Sequence, residues 1–255
     1  MKIVNFLYKN RQAWGAVAGE RIKIMEGCPY EGIKFSGETV DFRKCKLLAP
    51  ANPGKIVLVG LNYRDHAKEL SMKIPKEPVI FLKPATALSN PGGRVVYPKG
   101  VKRLDYEAEL AVVIKRKTKN VSEAKSLKYI LGYTCLNDIT ARDLQTRDGQ
   151  WTRAKSFDGF APLGPWVETD IDCSDIKVQL YLNGKLKQNS STKNFIFSLQ
   201  QIISFISNIM TLLPGDVIST GTPSGVGPMR PGDTIEVKIE GVGTLENYVC
   251  ASRLR

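Results

Sequence analysis

A chain of 255 residues, 42% of them apolar, can bury a full core and needs no disulfide or structural metal to hold it together. Its five cysteines, Cys28, Cys45, Cys135, Cys173 and Cys250, are odd in number, scattered and free of any C-x-x-C pair, which argues against a zinc ribbon or a disulfide framework and for a reduced, cytoplasmic protein. The net charge of +12 raises nucleic acid as a partner, but the basic clusters at residues 99–103, 115–119 and 185–193 lie in turn-like stretches without interleaved aromatics, and no helix-turn-helix, finger or RNP-like motif is present. They read as a solvated lysine-rich surface, which would also draw in a small anionic substrate.

Residues 1–50 read as short strands and turns, with strands near residues 2–7, 16–17 and 21–25 and turn residues at Gly15, Gly27 and Gly32. They open without a positive-then-apolar leader, because Lys2, Asn5, Lys9 and Arg11 are mixed among the apolar residues. Ala51-Asn52-Pro53-Gly54 breaks both helix and strand and marks a boundary between a small N-terminal domain, residues 1–50, and a larger one, residues 51–255. The apolar run K-I-V-L-V-G then supplies a strand ending in glycine.

Residues 61–72, L-N-Y-R-D-H-A-K-E-L-S-M, form a short helix that Asn62 can cap. His66, the one histidine of the chain, and Glu69 are three apart and share a face of it. A carboxylate bonded to one imidazole nitrogen fixes the tautomer and leaves the other nitrogen to take a proton from water. The structural alternative is a surface helix on which Glu69 pairs with Lys73. Residues 71–78 are polar and broken by Pro75 and Pro78, so the helix is mobile on this reading, which suits a lid.

The stretch at residues 104–114, L-D-Y-E-A-E-L-A-V-V-I, alternates with period two and places Glu107 and Glu109 on one face of an apolar strand. At an effective dielectric of about 20 two such neighbours repel by roughly 2 to 3 kcal/mol before desolvation. A divalent cation removes that penalty; the alternative is two solvated glutamates on an edge strand. A second apolar strand, residues 129–136, ends in Asn137-Asp138 and turns helical at I-T-A-R-D-L-Q. Asp138 either caps that helix or completes a three-carboxylate site with Glu107 and Glu109, a hard-oxygen set that suits magnesium or manganese better than zinc. Arg142 and Gln145 follow on roughly one helix face.

Residues 151–165, W-T-R-A-K-S-F-D-G-F-A-P-L-G-P, form a Gly- and Pro-rich loop in which Lys155 is either solvated or turned inward to stabilise an oxyanion. Asn183-Gly184 signals a hairpin. The long apolar run at residues 195–213 holds Ser198, Gln200, Gln201, Ser204, Ser207 and Asn208, and so reads as a buried amphipathic helix around residues 198–212, not a membrane span. The strand D-V-I-S-T then enters G-T-P-S-G-V-G-P, a turn that can offer backbone N–H groups and the Thr222 hydroxyl to a carboxylate. It matches neither a P-loop nor a dinucleotide fingerprint, so neither ATP nor NAD is expected.

Taken in order, G-L-N-Y-R-D-H-A-K-E, D-Y-E-A-E-L-A-V-V-I, N-D-I-T-A-R-D-L-Q, A-K-S-F-D-G-F-A-P-L-G-P and P-G-D-V-I-S-T-G-T-P-S-G-V-G resemble the fumarylacetoacetate hydrolase family from about residue 55 to the end. The resemblance implies a mostly β (α+β) fold, a rolled β-roll or β-sandwich catalytic domain with a small N-terminal α/β appendage, normally dimeric. It implies Mg2+ or Mn2+ held by Glu107, Glu109 and Asp138, and a small anionic 2-oxo acid substrate. Lys155, Gln145 and Thr222 match positions that hold the substrate or its enolate, with Arg142 beside them, and His66 and Glu69 match a water-activating dyad on a lid. The implied activity is cleavage beyond C3 of a 2-oxo acid, as an acylpyruvate hydrolase or oxaloacetate decarboxylase. The alternative is isomerisation of an unsaturated dioate, of the 2-hydroxyhepta-2,4-diene-1,7-dioate or 5-carboxymethyl-2-hydroxymuconate type. The chain departs from the family in the short T-R-D-G-Q between Gln145 and Trp151, which trims one wall near the site.

Overall fold

The computed structural model describes residues 1–252. The first fifty residues form β1 (Lys2–Tyr8), β2 (Arg11–Ala18), β3 (Arg21–Met25), β4 (Phe35–Asp41) and β5 (Lys46–Leu48). Their one helical piece is a 3-10 turn, Phe42–Lys44, so the α part of the expected α/β appendage is absent. The reason is local: Lys9 and Asn10 both take positive φ, 48° and 62°, and close β1 onto β2 as a two-residue hairpin. Nor is this region a separate sheet, because β1 continues onto a strand of the body through Lys2↔Glu168 and Ile3↔Val167, and the N-terminal amine meets Glu168 at 2.5 Å.

The body opens with β6 (Lys55–Val59), α1 (Arg64–Glu69), β7 (Ile80–Pro84), β8 (Leu88–Ser89) and β9 (Arg94–Tyr97). Then come β10 (Leu104–Tyr106), β11 (Ala108–Ile114), α2 (Glu123–Ser126), β12 (Ile130–Asn137), β13 (Thr140–Ala141), α3 (Arg142–Asp148), α4 (Thr152–Lys155) and β14 (Ala161–Glu168). The chain finishes with β15 (Lys177–Leu182), β16 (Lys185–Ser191), α5 (Leu199–Ile209), β17 (Val217–Ser219), β18 (Gly227–Met229), β19 (Thr234–Ile239) and β20 (Gly243–Ala251). Twelve strands make one mixed sheet in the order β4-β3-β2-β1-β14-β12-β11-β17-β6-β7, with β5 on β1 and β8 on β14. A five-stranded sheet, β16-β15-β19-β20-β9, packs on it, and a short one, β13-β10-β18, lies beside them.

The central strands of the large sheet, β6, β11, β12 and β17, are buried on both faces. Val57, Val59, Leu110 and Val112 face Val178, Leu180, Val237 and Leu245 of the five-stranded sheet. Their strand neighbours Ile56, Leu58, Ala111 and Val113 face the other way, onto Leu136, Leu163 and the N-terminal residues Ile3 and Trp14. The amphipathic helix expected from the sequence is α5, closed by a capping box between Ser198 and Gln201 and packed on the first core through Ile202, Ile203 and Ile206. Among the described residues no helix is long and apolar enough to cross a membrane. The hairpin at Asn183-Gly184 forms as expected, with φ of 53° and 73°.

The expected single strand at residues 104–114 is broken at Glu107, and this break positions the site. β10 pairs with β13 and β18, while β11 pairs with β12 and β17. At the junction the Glu107 N–H donates to the Asn137 side chain at 3.0 Å and the Glu107 carbonyl accepts from Asp138 N–H at 2.9 Å. The chain crosses there from the small sheet to the large one.

Candidate active site

Glu107, Glu109 and Asp138 converge at that crossing: one carboxylate oxygen from each lies within 4.8 Å of the others, and all three side chains are buried. Asp138 does not cap a helix, because β13 intervenes and the cap position of α3 is Ala141. Glu109 Oε2 accepts from the Ser219 hydroxyl at 2.5 Å and from Gly221 N–H at 2.9 Å. Glu107 is held by Arg142 and Thr140 on Oε1 and by Lys155 on Oε2, the last at 3.1 Å. Lys155 Nζ also meets Asp138 Oδ2 at 2.5 Å, and Lys83 Nζ meets Asp138 Oδ1 at 2.5 Å.

These contacts split the carboxylates electrically. Burial would raise the Glu107 carboxyl, but Lys155 and Arg142 overcome it and hold the group far below the usual carboxylate range. Glu109 has no cation of its own, and burial, then Asp138 and Glu107, push it well above that range. Lys155 stays protonated, its burial outweighed by Asp138 and Glu107. The cluster therefore fits a divalent cation: the donors are three hard oxygens, the Lys155 ammonium already bridges two of them, and the third carboxylate lacks positive charge.

α1 brings the dyad to the same place. His66 Nδ1 lies 3.0 Å from Glu69 Oε2, and Glu69 also accepts from Gly225 N–H at 3.0 Å. Lys73 forms no salt bridge among the described residues. Asn62 caps nothing; its side chain joins the Thr220 carbonyl at 2.8 Å and accepts from Phe197 N–H at 2.8 Å, which pins the strand end before the helix. Arg64 donates to the Phe195 carbonyl, the Tyr63 and Phe195 rings sit 4.9 Å apart edge to face, and the Ser190 hydroxyl donates to Asp65. The helix is thus anchored to the body, contrary to the mobile helix expected from the prolines after it. The exposed part is the following segment, with Leu70, Met72, Ile74 and Val79 about half exposed.

A cavity of about 400 Å³ joins these groups, lined among others by His66, Glu107, Asp138, Arg142, Gln145, Lys155 and Thr222. Thr222 is fixed, donating to the Ala108 carbonyl at 2.9 Å and accepting from Gln188 at 2.8 Å. Arg142 divides its guanidinium between Asp105, at 2.9 Å, Glu107 and Gln145.

Residues 55–250 match the family model described as fumarylacetoacetate (FAA) hydrolase, C-terminal, and residues 1–50 match one described as Rv2993c-like, N-terminal. The chain belongs to the fumarylacetoacetate hydrolase family. A protein of Methanocaldococcus jannaschii is 50% identical over 232 residues, covering 91% of this chain and 95% of its own. A solved structure from Mycobacterium marinum, titled 2-hydroxyhepta-2,4-diene-1,7-dioate isomerase, is 40% identical with a TM-score of 0.93 and covers all of both chains. The fumarylacetoacetate hydrolase of Exiguobacterium antarcticum is 33% identical with a TM-score of 0.89, over 99% of this chain and all of that one. Members of the family are enzymes, hydrolases and isomerases among them.

In this family member, several residues that build the site escape motif reading. Lys83 is fully buried and donates to the Ile139 carbonyl at 2.9 Å and the Phe160 carbonyl at 2.5 Å besides facing Asp138; burial, against Asp138, brings its ammonium down to about 8. Its only sequence signal is a lysine inside the apolar F-L-K-P. Asp105, also fully buried, orients Arg142 and pairs with Arg103 at 2.8 Å. Ser219 and Asn137 act through bonds to Glu109 and to the Glu107 backbone, contacts between strands that no spacing rule encodes.

Proposed function

We propose that this protein cleaves the carbon–carbon bond beyond C3 of a 2-oxo acid, as an acylpyruvate hydrolase or an oxaloacetate decarboxylase. The observation that carries the reading is that the Glu69-oriented His66 opens on the same cavity as Glu107, Asp138 and Lys155. A magnesium or manganese ion held by Glu107, Glu109 and Asp138 would withdraw electron density from the 2-oxo acid and lower the energy of its enolate.

The chain's own residues supply the rest. Glu69, fixed by Gly225, holds His66 Nδ1 so that Nε2 can take a proton from water, and the hydroxide so formed attacks the C4 carbonyl. The C3–C4 bond breaks, its electrons pass to the enolate, and Lys155 donates a hydrogen bond to the oxygen that gains charge. Gln145 and Thr222 orient the substrate, and C3 takes up the proton that His66 drew from water, giving pyruvate and the carboxylic acid formed at C4. Where C4 is itself a carboxylate, it leaves as carbon dioxide and no water is consumed.

A second reading, proton transfer within an unsaturated dioate, is supported by the 40% identity to the protein titled as an isomerase. The site would serve it without bond cleavage. The experiment that separates them is pyruvate release from acetylpyruvate, longer acylpyruvates and oxaloacetate, with magnesium or manganese and with chelator as the control. Metal-dependent pyruvate from acylpyruvates, lost in His66→Ala, supports hydrolysis. Pyruvate from oxaloacetate alone selects the decarboxylase, and none from any substrate selects the isomerase.

A further inference from the structure

We propose that the end of the cavity away from the carboxylates takes an uncharged, apolar group, so that the preferred 2-oxo acids carry an alkyl or aryl chain and not a second carboxylate. This rests on the acylpyruvate hydrolase form of the reading above, not on the decarboxylase form, whose substrate carries a carboxylate at C4, and names what lies beyond the reacting carbons.

The cavity is divided by polarity. Glu107, Asp138, Arg142 and Lys155 all sit at one end and neutralise one another. Lys155 Nζ marks the border, 4.9 Å from the centre of the Phe81 ring. The Phe81 ring stands 5.1 Å from that of Trp151 at 76°, so the aromatic wall begins where the charge ends. Gly60 and Val79, joined by a backbone hydrogen bond of 2.8 Å, continue it, and Leu70 and Met72 line the same cavity. Trp151 lies tight on the backbone at Gly60, where a Cβ would stand only 2.8 Å from the indole. Glycine there lets the ring form a wall instead of filling the cavity.

One further cation, Lys73, borders the cavity, with an exposed side chain and no salt bridge among the described residues. An exposed ammonium adds little to binding of a carboxylate, while a carboxylate pushed against Phe81 and Trp151 loses water without gaining a partner. Each methylene laid on the same wall leaves water for an apolar surface, which corresponds to about three- to fourfold in affinity.

The test uses binding as well as turnover. The full-length protein with manganese is titrated by calorimetry with 2-oxobutyrate, 2-oxopentanoate, 2-oxohexanoate and 2-oxooctanoate, and with 2-oxoglutarate and 2-oxoadipate. Affinity is expected to rise about three- to fourfold per methylene along the first series, with each dioate at least about tenfold weaker than the alkyl acid of equal length. In Trp151→Ala the gain per methylene should fall by half or more, and in Gly60→Ala the displaced indole should shift the optimum to a shorter chain. A flat alkyl series, no binding of any member, or dioates binding as well as alkyl acids would overturn the inference. So would a dioate preference that Lys73→Met abolishes. Acetylpyruvate turnover keeps the two readings apart: cleavage with dioates favoured removes the apolar subsite alone, and no cleavage with a rising alkyl series removes hydrolysis alone.

Discussion

Replacing Glu109 by glutamine separates the cost of the carboxylate cluster from its use. In the metal-free protein Glu109 is buried without a cation, so its ionised form is disfavoured. Glutamine keeps an oxygen for the Ser219 hydroxyl and Gly221 N–H and turns an amide towards the other carboxylates. Two unit charges 4.8 Å apart repel by roughly 3 kcal/mol at an effective dielectric of about 20, partly offset here by Lys155, Lys83 and Arg142. A net gain of about 1 kcal/mol in the metal-free variant follows, or roughly 2 to 4 °C in Tm for a chain of this size.

The gain should depend on pH. A folded-state pKa raised above the unfolded one gives stability that is full below the unfolded value and lost as pH rises through the folded one, so Glu109→Gln should gain most at high pH. Glu107 has the opposite sign: its contribution is full above the unfolded pKa and lost as acid protonates it in the folded state. With magnesium at about 100 times its Kd, the wild type should gain about 2.7 kcal/mol, roughly 5 to 10 °C, and the variant almost none. Scanning calorimetry at two pH values, with metal and with chelator, reads all of these. A metal-free variant several degrees less stable than wild type, or one that keeps the metal shift, would refute the reasoning.

Other outcomes are expected from single contacts. Glu69→Gln and His66→Asn should each lower acylpyruvate hydrolysis by about 10² to 10⁴ while leaving the calorimetric metal shift in place, because the dyad moves protons and holds no ion. Lys83→Met should cost about 3 kcal/mol, since it leaves Asp138 Oδ1 and two carbonyls without their buried partner while Lys155 still holds Oδ2; a loss of under 1 kcal/mol in urea unfolding would show that the ion pair is not formed. Light scattering should give twice the 28.3 kDa chain mass, with exposed Leu82 beside Met210 as apolar surface for a second copy. A labelled oligonucleotide should not be retarded even at low salt; a steeply salt-dependent complex would instead mark the basic surface as a nucleic-acid site.

The sequence by itself determined the local parts: the apolar strands, the amphipathic α5, the positive-φ hairpin at Asn183-Gly184, and the candidates for the carboxylate cluster and the dyad. Those follow from periods of two and 3.6 and from backbone preferences, which act between near neighbours. Tertiary structure alone decided the break at Glu107, the join of β1 to β14, and the anchoring of α1 by Ser190, Phe195 and Gly225. It also decided which charges meet. Lys83, Asp105 and Ser219 reach the cluster from strands 37 to 110 residues away in the chain from the groups they face. Desolvation and pairing set each group's charge state, and both depend on what is folded against it, so the same Glu-x-Glu spacing yields one carboxyl held low and one pushed high.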